Sequence, residues 1–121
     1  MPKTTDRTVS IHPYFAVRDG KLDAFHDLCQ RFVERTSSED ACLYYGFSFN
    51  GNQVHCREAY TDGAALLAHL QNVGDLLEES QGLADIARLE IHGLEEELAQ
   101  LREPLKDLPI EYFVLEYGIR N

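Results

Sequence analysis

The sequence predicts an α+β fold, with strands in one antiparallel sheet and helices on one of its faces. Three observations lead there. Residues Thr8 to Val17 alternate apolar and polar with a period of two. Two aromatic-rich runs, Cys42 to Phe49 and Gln53 to Tyr60, are joined by Asn50-Gly51-Asn52. Between the strand-like runs, apolar residues fall at helical spacing. A length of 121 residues suits a single domain spanning 1–121.

In the first strand, Val9, Ile11, Pro13, Phe15 and Val17 alternate with Ser10, His12, Tyr14 and Ala16. Pro13 has no N–H to give a neighbour, so it implies an edge position or a local irregularity. Asp19-Gly20 breaks the chain before a helix with Leu22, Phe25, Leu28, Cys29, Phe32 and Val33 on one face. Thr36-Ser37-Ser38-Glu39-Asp40 ends it. The next two strands form a hairpin, since Asn-Gly between such runs is the strongest short hairpin signal. Asp62 is a fitting N-cap for a second helix carrying Ala65, Leu66, Leu70, Val73 and Leu77. After Gly82, a fourth strand lies near Ile86 to His92. Beyond Gly93, a third helix carries Leu94, Leu98, Leu101, Leu105 and Leu108, and Pro104 kinks or ends it. Its Glu95-Glu96-Glu97 run reads as a solvated first turn. The last strand, Ile110 to Ile119, is rich in aromatics. The order is β-α-β-β-α-β with an added α-β, and the first six elements match the ferredoxin-like arrangement. The core is 8–92 and the extension 93–121.

Charge excludes some functions. Eleven Lys and Arg stand against 21 Asp and Glu, a formal charge of −10. Nucleic acid is therefore an improbable partner, because its binding rests on neutralising phosphates, and anionic membrane surfaces are disfavoured likewise. No apolar run nears the ~20 residues that span a bilayer. Met1-Pro2-Lys3-Thr4-Thr5-Asp6-Arg7 has no apolar stretch behind its charges, so it does not read as a secretory signal and a cytoplasmic location is expected. Cys29, Cys42 and Cys56 form an odd set without a Cys-x-x-Cys pair and read as structural thiols.

Helices shield one sheet face only. Val9, Ile11, Phe15 and Val17, then Val54 and Cys56, then Ala87, Leu89 and Ile91 should face them. That leaves Ser10, His12, Tyr14, His55, Arg57, Arg88, Glu90 and His92 on the other side, with Tyr44 beside them. A solvated face does not normally carry imidazoles and phenols at this density. A two-fold dimer whose sheets stack face to face would accommodate them.

Glu58-x-Tyr60, followed by Leu66 and His69, resembles the Glu-x-aromatic…Leu-x-x-His signature of the antibiotic biosynthesis monooxygenase (ABM) family. Gly20 before the first helix, and Cys42 with Tyr45 opening the second strand, support the resemblance, which spans Thr8 to His92. It implies a dimeric α+β barrel with a cleft between sheet and helices that takes aromatic or polyketide-like substrates. Some relatives oxygenate quinols or anthrone-like molecules without metal or flavin; others degrade haem, isomerise, or have no known reaction. Two departures stand out: Asn72-Val73-Gly74 replaces the Ser/Thr-Pro-His segment frequent in relatives, and the chain continues past the usual last strand.

Oxygenation without a cofactor needs a base, an apolar enclosure and room for oxygen, since the substrate anion itself donates the electron. His69 is the first candidate base, with Glu58 placed to orient it. The same pair equally suits a structural tie between helix and sheet. His12, Tyr14, Tyr44, His55, Arg57 and Tyr60 are candidate substrate-binding residues, with Arg57 or Arg88 as counter-charge for a phenolate or carboxylate. His12, His55 and His92 share no strand and no His-x-His spacing, so a polar lining is expected of them and no metal site. No cofactor is expected. Two functions remain: an oxygenase-like enzyme acting on an aromatic, quinol or polyketide-like small molecule, and a non-catalytic dimer that binds a small ligand or serves a structural role.

Overall fold

The computed structural model describes residues 4–121. Of the N-terminal segment read against a secretory signal, residues 1–3 lie outside that range. The chain forms a five-stranded sheet in the order β2-β3-β1-β4-β5. β1 (Val9–Val17) lies at its centre, antiparallel to β3 (Gln53–Tyr60) and to β4 (Ala84–Gly93). β2 (Cys42–Asn50) flanks β3 as the other arm of the hairpin. Asn50 pairs with Gln53, so the two-residue loop is Gly51-Asn52. Only Gly51 there has positive φ (61°), the requirement of a II′ turn, in which glycine comes first.

The helices cover one face, as the sequence predicts. α1 (Leu22–Thr36) buries Phe25, Leu28, Cys29 and Phe32, whereas Val33 lies on its exposed side. The single helix expected after Asp62 is two, α2 (Gly63–Asn72) and α3 (Gly74–Ser80), which turn about Val73. The Asp62 side chain caps α2 by accepting from the Ala65 N–H at 2.8 Å. α4 (Glu95–Arg102) stops before Pro104. β5 (Glu111–Val114) then joins β4 in parallel, making the sheet mixed. A chain that crosses back over α4 re-enters in the same direction. Among the described residues, no helix is long and apolar enough to cross a membrane.

Three local expectations change, and Pro13 takes the second of the two settings expected for it. Pro13 is in the middle of the sheet and not at an edge; the irregularity it signals is the register shift between Tyr14 and Phe15 against β4. That shift pairs Tyr14 with Arg88 and Phe15 with Ile86. Ala87 is the extra residue and turns away from the helices, so Ala84 and Ile86 take the inward positions with Leu89 and Ile91. The last strand is four residues long; Tyr117 and Ile119, expected within it, lie exposed beyond its end. Glu97 is no solvated residue: it is 1% exposed, accepts the Gly63 N–H at 2.8 Å and pairs with Arg7. α4 is thereby fastened to the start of α2.

Candidate active site

Two sequence-predicted residues meet because two periodicities converge. On β3, a spacing of two puts Glu58 and Tyr60 on the helix-covered face with Val54 and Cys56. On α2, a spacing of three puts Leu66 and His69 on the face turned toward the sheet. His69 is 2% exposed and Glu58 5%. Nε2 of His69 lies 3.4 Å from Oε1 of Glu58. The Tyr60 hydroxyl donates to the same Oε1 at 2.5 Å.

Glu58 does not orient His69 through the ring proton. That contact belongs to Glu39, whose Oε2 and Oε1 lie 2.9 and 3.1 Å from Nδ1. A carboxylate oxygen only accepts, so Nδ1 carries the proton and the Nε2 lone pair faces Glu58. The Asn72 amide donates to Oε2 of Glu39 at 2.7 Å. Sequence reading missed both residues. Glu39 sits in the segment after α1 that looks like a simple helix end, and its pairing with His69 is purely tertiary. Asn72 had a usable signal: it falls three residues after His69, on the same side of the helix.

Burial sets the acid–base properties. It pushes the Glu58 carboxyl up to about 7, although hydrogen bonds from Tyr60 and Cys56 oppose the rise. His69 is held below the usual imidazole range, because burial outweighs the stabilisation that Glu39 gives the cation. At neutral pH the site therefore holds a neutral imidazole beside a carboxyl group near its midpoint. Burial raises the Cys56 thiol and the Tyr45 and Tyr60 phenols, so all three stay protonated.

Glu58 and His69 line a cavity of about 130 Å³ between sheet and helices, with Ser80 and Gln81 also on its wall. Phe32, Tyr45, Phe47 and Leu89 supply much of its wall, and the lining includes no Lys or Arg. Leu108, from the chain between α4 and β5, also reaches it. Drug-sized ligands need pockets from ~300 Å³, but an apolar cavity of ~150 Å³ admits benzene. One ring fits here.

The other predicted residues lie across the sheet. His12 stands between His55 and His92, with ring centres 6.0 and 4.7 Å away. Tyr14 stacks on His55 at 4.3 Å, and Arg57 lies over the Tyr44 ring at 4.4 Å. Burial, and then the charges of His92 and His55, lower the His12 pKa. Among the described residues, no three His, Cys, Asp or Glu side chains are placed to hold a metal ion. Within one chain, His12, Tyr14, Tyr44, His55 and Arg57 thus share no site with His69 and Glu58. Tyr60 does belong with them, through its hydroxyl on Glu58.

The family model for antibiotic biosynthesis monooxygenase matches residues 8–74, more than half of the chain and the whole run from β1 to His69. The chain belongs to the ABM family. The crystal structure of MupZ from Pseudomonas fluorescens is similar at a TM-score of 0.90, with 48% identity over 95% of each chain. A conserved protein from Methanosarcina mazei reaches 0.66 at 20% identity, over 71% of this chain and 91% of its own. A Chloroflexus aurantiacus protein named for the ABM family reaches 0.59 at 18%, over 69% and 89%. The last two show the fold alone. The comparison with curated proteins found no match. MupZ shares nearly the full length of this ABM chain, so the likeness to it takes in the α4–β5 extension, whereas the other two leave over a quarter of the chain uncovered.

Proposed function

We propose that the chain is a cofactor-independent, monooxygenase-like enzyme acting on an aromatic, quinol or polyketide-like molecule, with His69 as its base. One observation carries this reading: a neutral imidazole engaged by Glu39 at Nδ1 lines an apolar cavity, with its Nε2 beside Glu58, a second group on the same wall. Nε2 takes the proton of a phenolic O–H or an activated C–H, and the apolar wall raises the reactivity of the resulting anion. The anion gives an electron to dioxygen, and recombination forms a peroxide anion that takes its proton back from the imidazolium to become a hydroperoxide. Loss of water from that hydroperoxide protonates the leaving hydroxide, which Glu58 can do because its carboxyl titrates near neutrality, while the remaining C–H proton passes to the neutral Nε2 of His69 and returns from there to Glu58. For a methylene substrate the balance is R₂CH₂ + O₂ → R₂C=O + H₂O. Two copies stacking their open sheet faces would enclose His12, Tyr14, Tyr44, His55 and Arg57, and the protein is expected to act as such a homodimer in the cytoplasm.

A second reading, a non-catalytic ligand-binding protein, has one observation in its favour. Both nitrogens of His69 already face carboxylates, as a structural tie requires. Oxygen uptake with hydroquinone, a single-ring substrate, separates the two. Uptake that His69→Gln abolishes, in a protein still folded, supports the enzyme; none above background supports the binding protein.

A further inference from the structure

We propose that Glu39 is the positioning residue that makes His69 a base, and that Asn72 holds Glu39 in place for it. The proposal rests on the reading of His69 given above, but its geometry can be tested separately. Glu39 lies outside the helices and strands, yet its backbone is tied at both ends: its N–H donates to Thr36 O at 2.9 Å, and its carbonyl accepts from Cys42 N–H at 3.2 Å. Both carboxylate oxygens face Nδ1. Oε2 also accepts from the Asn72 amide, and Asn72 is bound in turn to α1 through Arg35, whose Nη1 donates to the Asn72 carbonyl at 2.9 Å. Arg35 is fixed further by Asp75 at 2.7 Å.

A neutral acceptor would suffice to anchor a histidine. A carboxylate does two further things: it selects the Nδ1–H tautomer, and it stabilises the imidazolium that forms when Nε2 takes a proton. The other titratable groups around the ring are Glu58 and Tyr60 from β3 and Tyr45 from β2. Of these four groups, Glu39 is the one hydrogen-bonded to Nδ1.

Imidazole ¹⁵N NMR of the full-length protein tests this, with the His69 signals assigned by their loss in His69→Gln. The wild type should show the Nδ1–H tautomer at neutral pH. Glu39→Gln keeps an acceptor and removes the charge, so the tautomer should persist while the His69 pKa falls by about one unit or more. Asn72→Ala should lower it by less. An Nε2–H tautomer in the wild type, or a His69 pKa unchanged in Glu39→Gln, would overturn the proposal. Oxygen uptake from hydroquinone should fall about tenfold or more in Glu39→Gln, with its acidic limb moved to lower pH. If the NMR results hold and no variant or wild type turns over substrate, Glu39 still positions His69 and only the oxygenase reading fails.

Discussion

Nδ1 of His69 lies 2.9 Å from Oε2 of Glu39, thirty residues earlier in the chain. The contact joins α2 to the turn after α1 and leaves Nε2 beside Oε1 of Glu58, where both residues line the cavity. Both side chains are largely withdrawn from water, so the bond matters most through what its loss leaves behind. An unpaired buried polar group costs about 1–3 kcal/mol.

His69→Gln should therefore lower stability by about 1–3 kcal/mol, from the loss of the Glu39 contact and imperfect filling of the ring's space. Urea unfolding followed by circular dichroism measures it. Unchanged stability would mean that the Glu39 contact adds nothing to folding.

Glu58 makes stability depend on pH. Its folded pKa of about 7 is above the ordinary value of 4.5. Between those values the folded state holds a proton that the unfolded state has released, so stability falls as pH rises from 4.5 to 7 and then levels. The size is on the order of 3 kcal/mol. His69 acts in the opposite sense: its lowered pKa removes stability as pH falls below 6.5. Comparing wild type with Glu58→Gln separates the two, because the variant keeps the histidine contribution. Melting temperatures at pH 5 and pH 8 should converge on, or favour, the variant at the higher pH. Parallel curves would contradict the raised carboxyl pKa.

Gly63→Ala should destabilise by about 1–3 kcal/mol. A Cβ at that position would sit 2.9 Å from the Glu97 carbonyl oxygen, a backbone atom that cannot swing aside. Helix propensity alone predicts a gain from the same change, so the sign of the shift in thermal midpoint decides.

The open face should hold two copies together. The wild type is expected to sediment at twice 13.8 kDa. His12→Glu with His55→Glu would set carboxylates against each other across the two-fold and should give a folded monomer. A wild-type monomer at micromolar concentration would contradict face-to-face association.

The parts of this fold legible in the sequence were those set by local chemistry. Asp62 as a cap, Pro104 as a stop and the turn after Asn50 need only neighbouring residues, and the resemblance carried by Glu58, Tyr60, Leu66 and His69 led to the right family. What escaped depends on contacts between distant segments. Ala87 seemed inward by alternation, but one bulge reverses parity for every residue beyond it. Glu97 looked solvated within an acidic run until Gly63 supplied a buried donor. The site divided similarly: His69 was found through its spacing, whereas Glu39 belongs to no periodic pattern. The histidines of the open face were correctly read as neighbours, yet the sheet separates them from the cavity.

The most direct test of His69 as an oxygenase base is the fate of ¹⁸O₂ during turnover of hydroquinone, a single ring that matches the cavity. The account predicts hydroxyquinone carrying one ¹⁸O and the second oxygen in water, with formation lost in His69→Gln. Product with no label, or labelled product formed equally by His69→Gln, would contradict it.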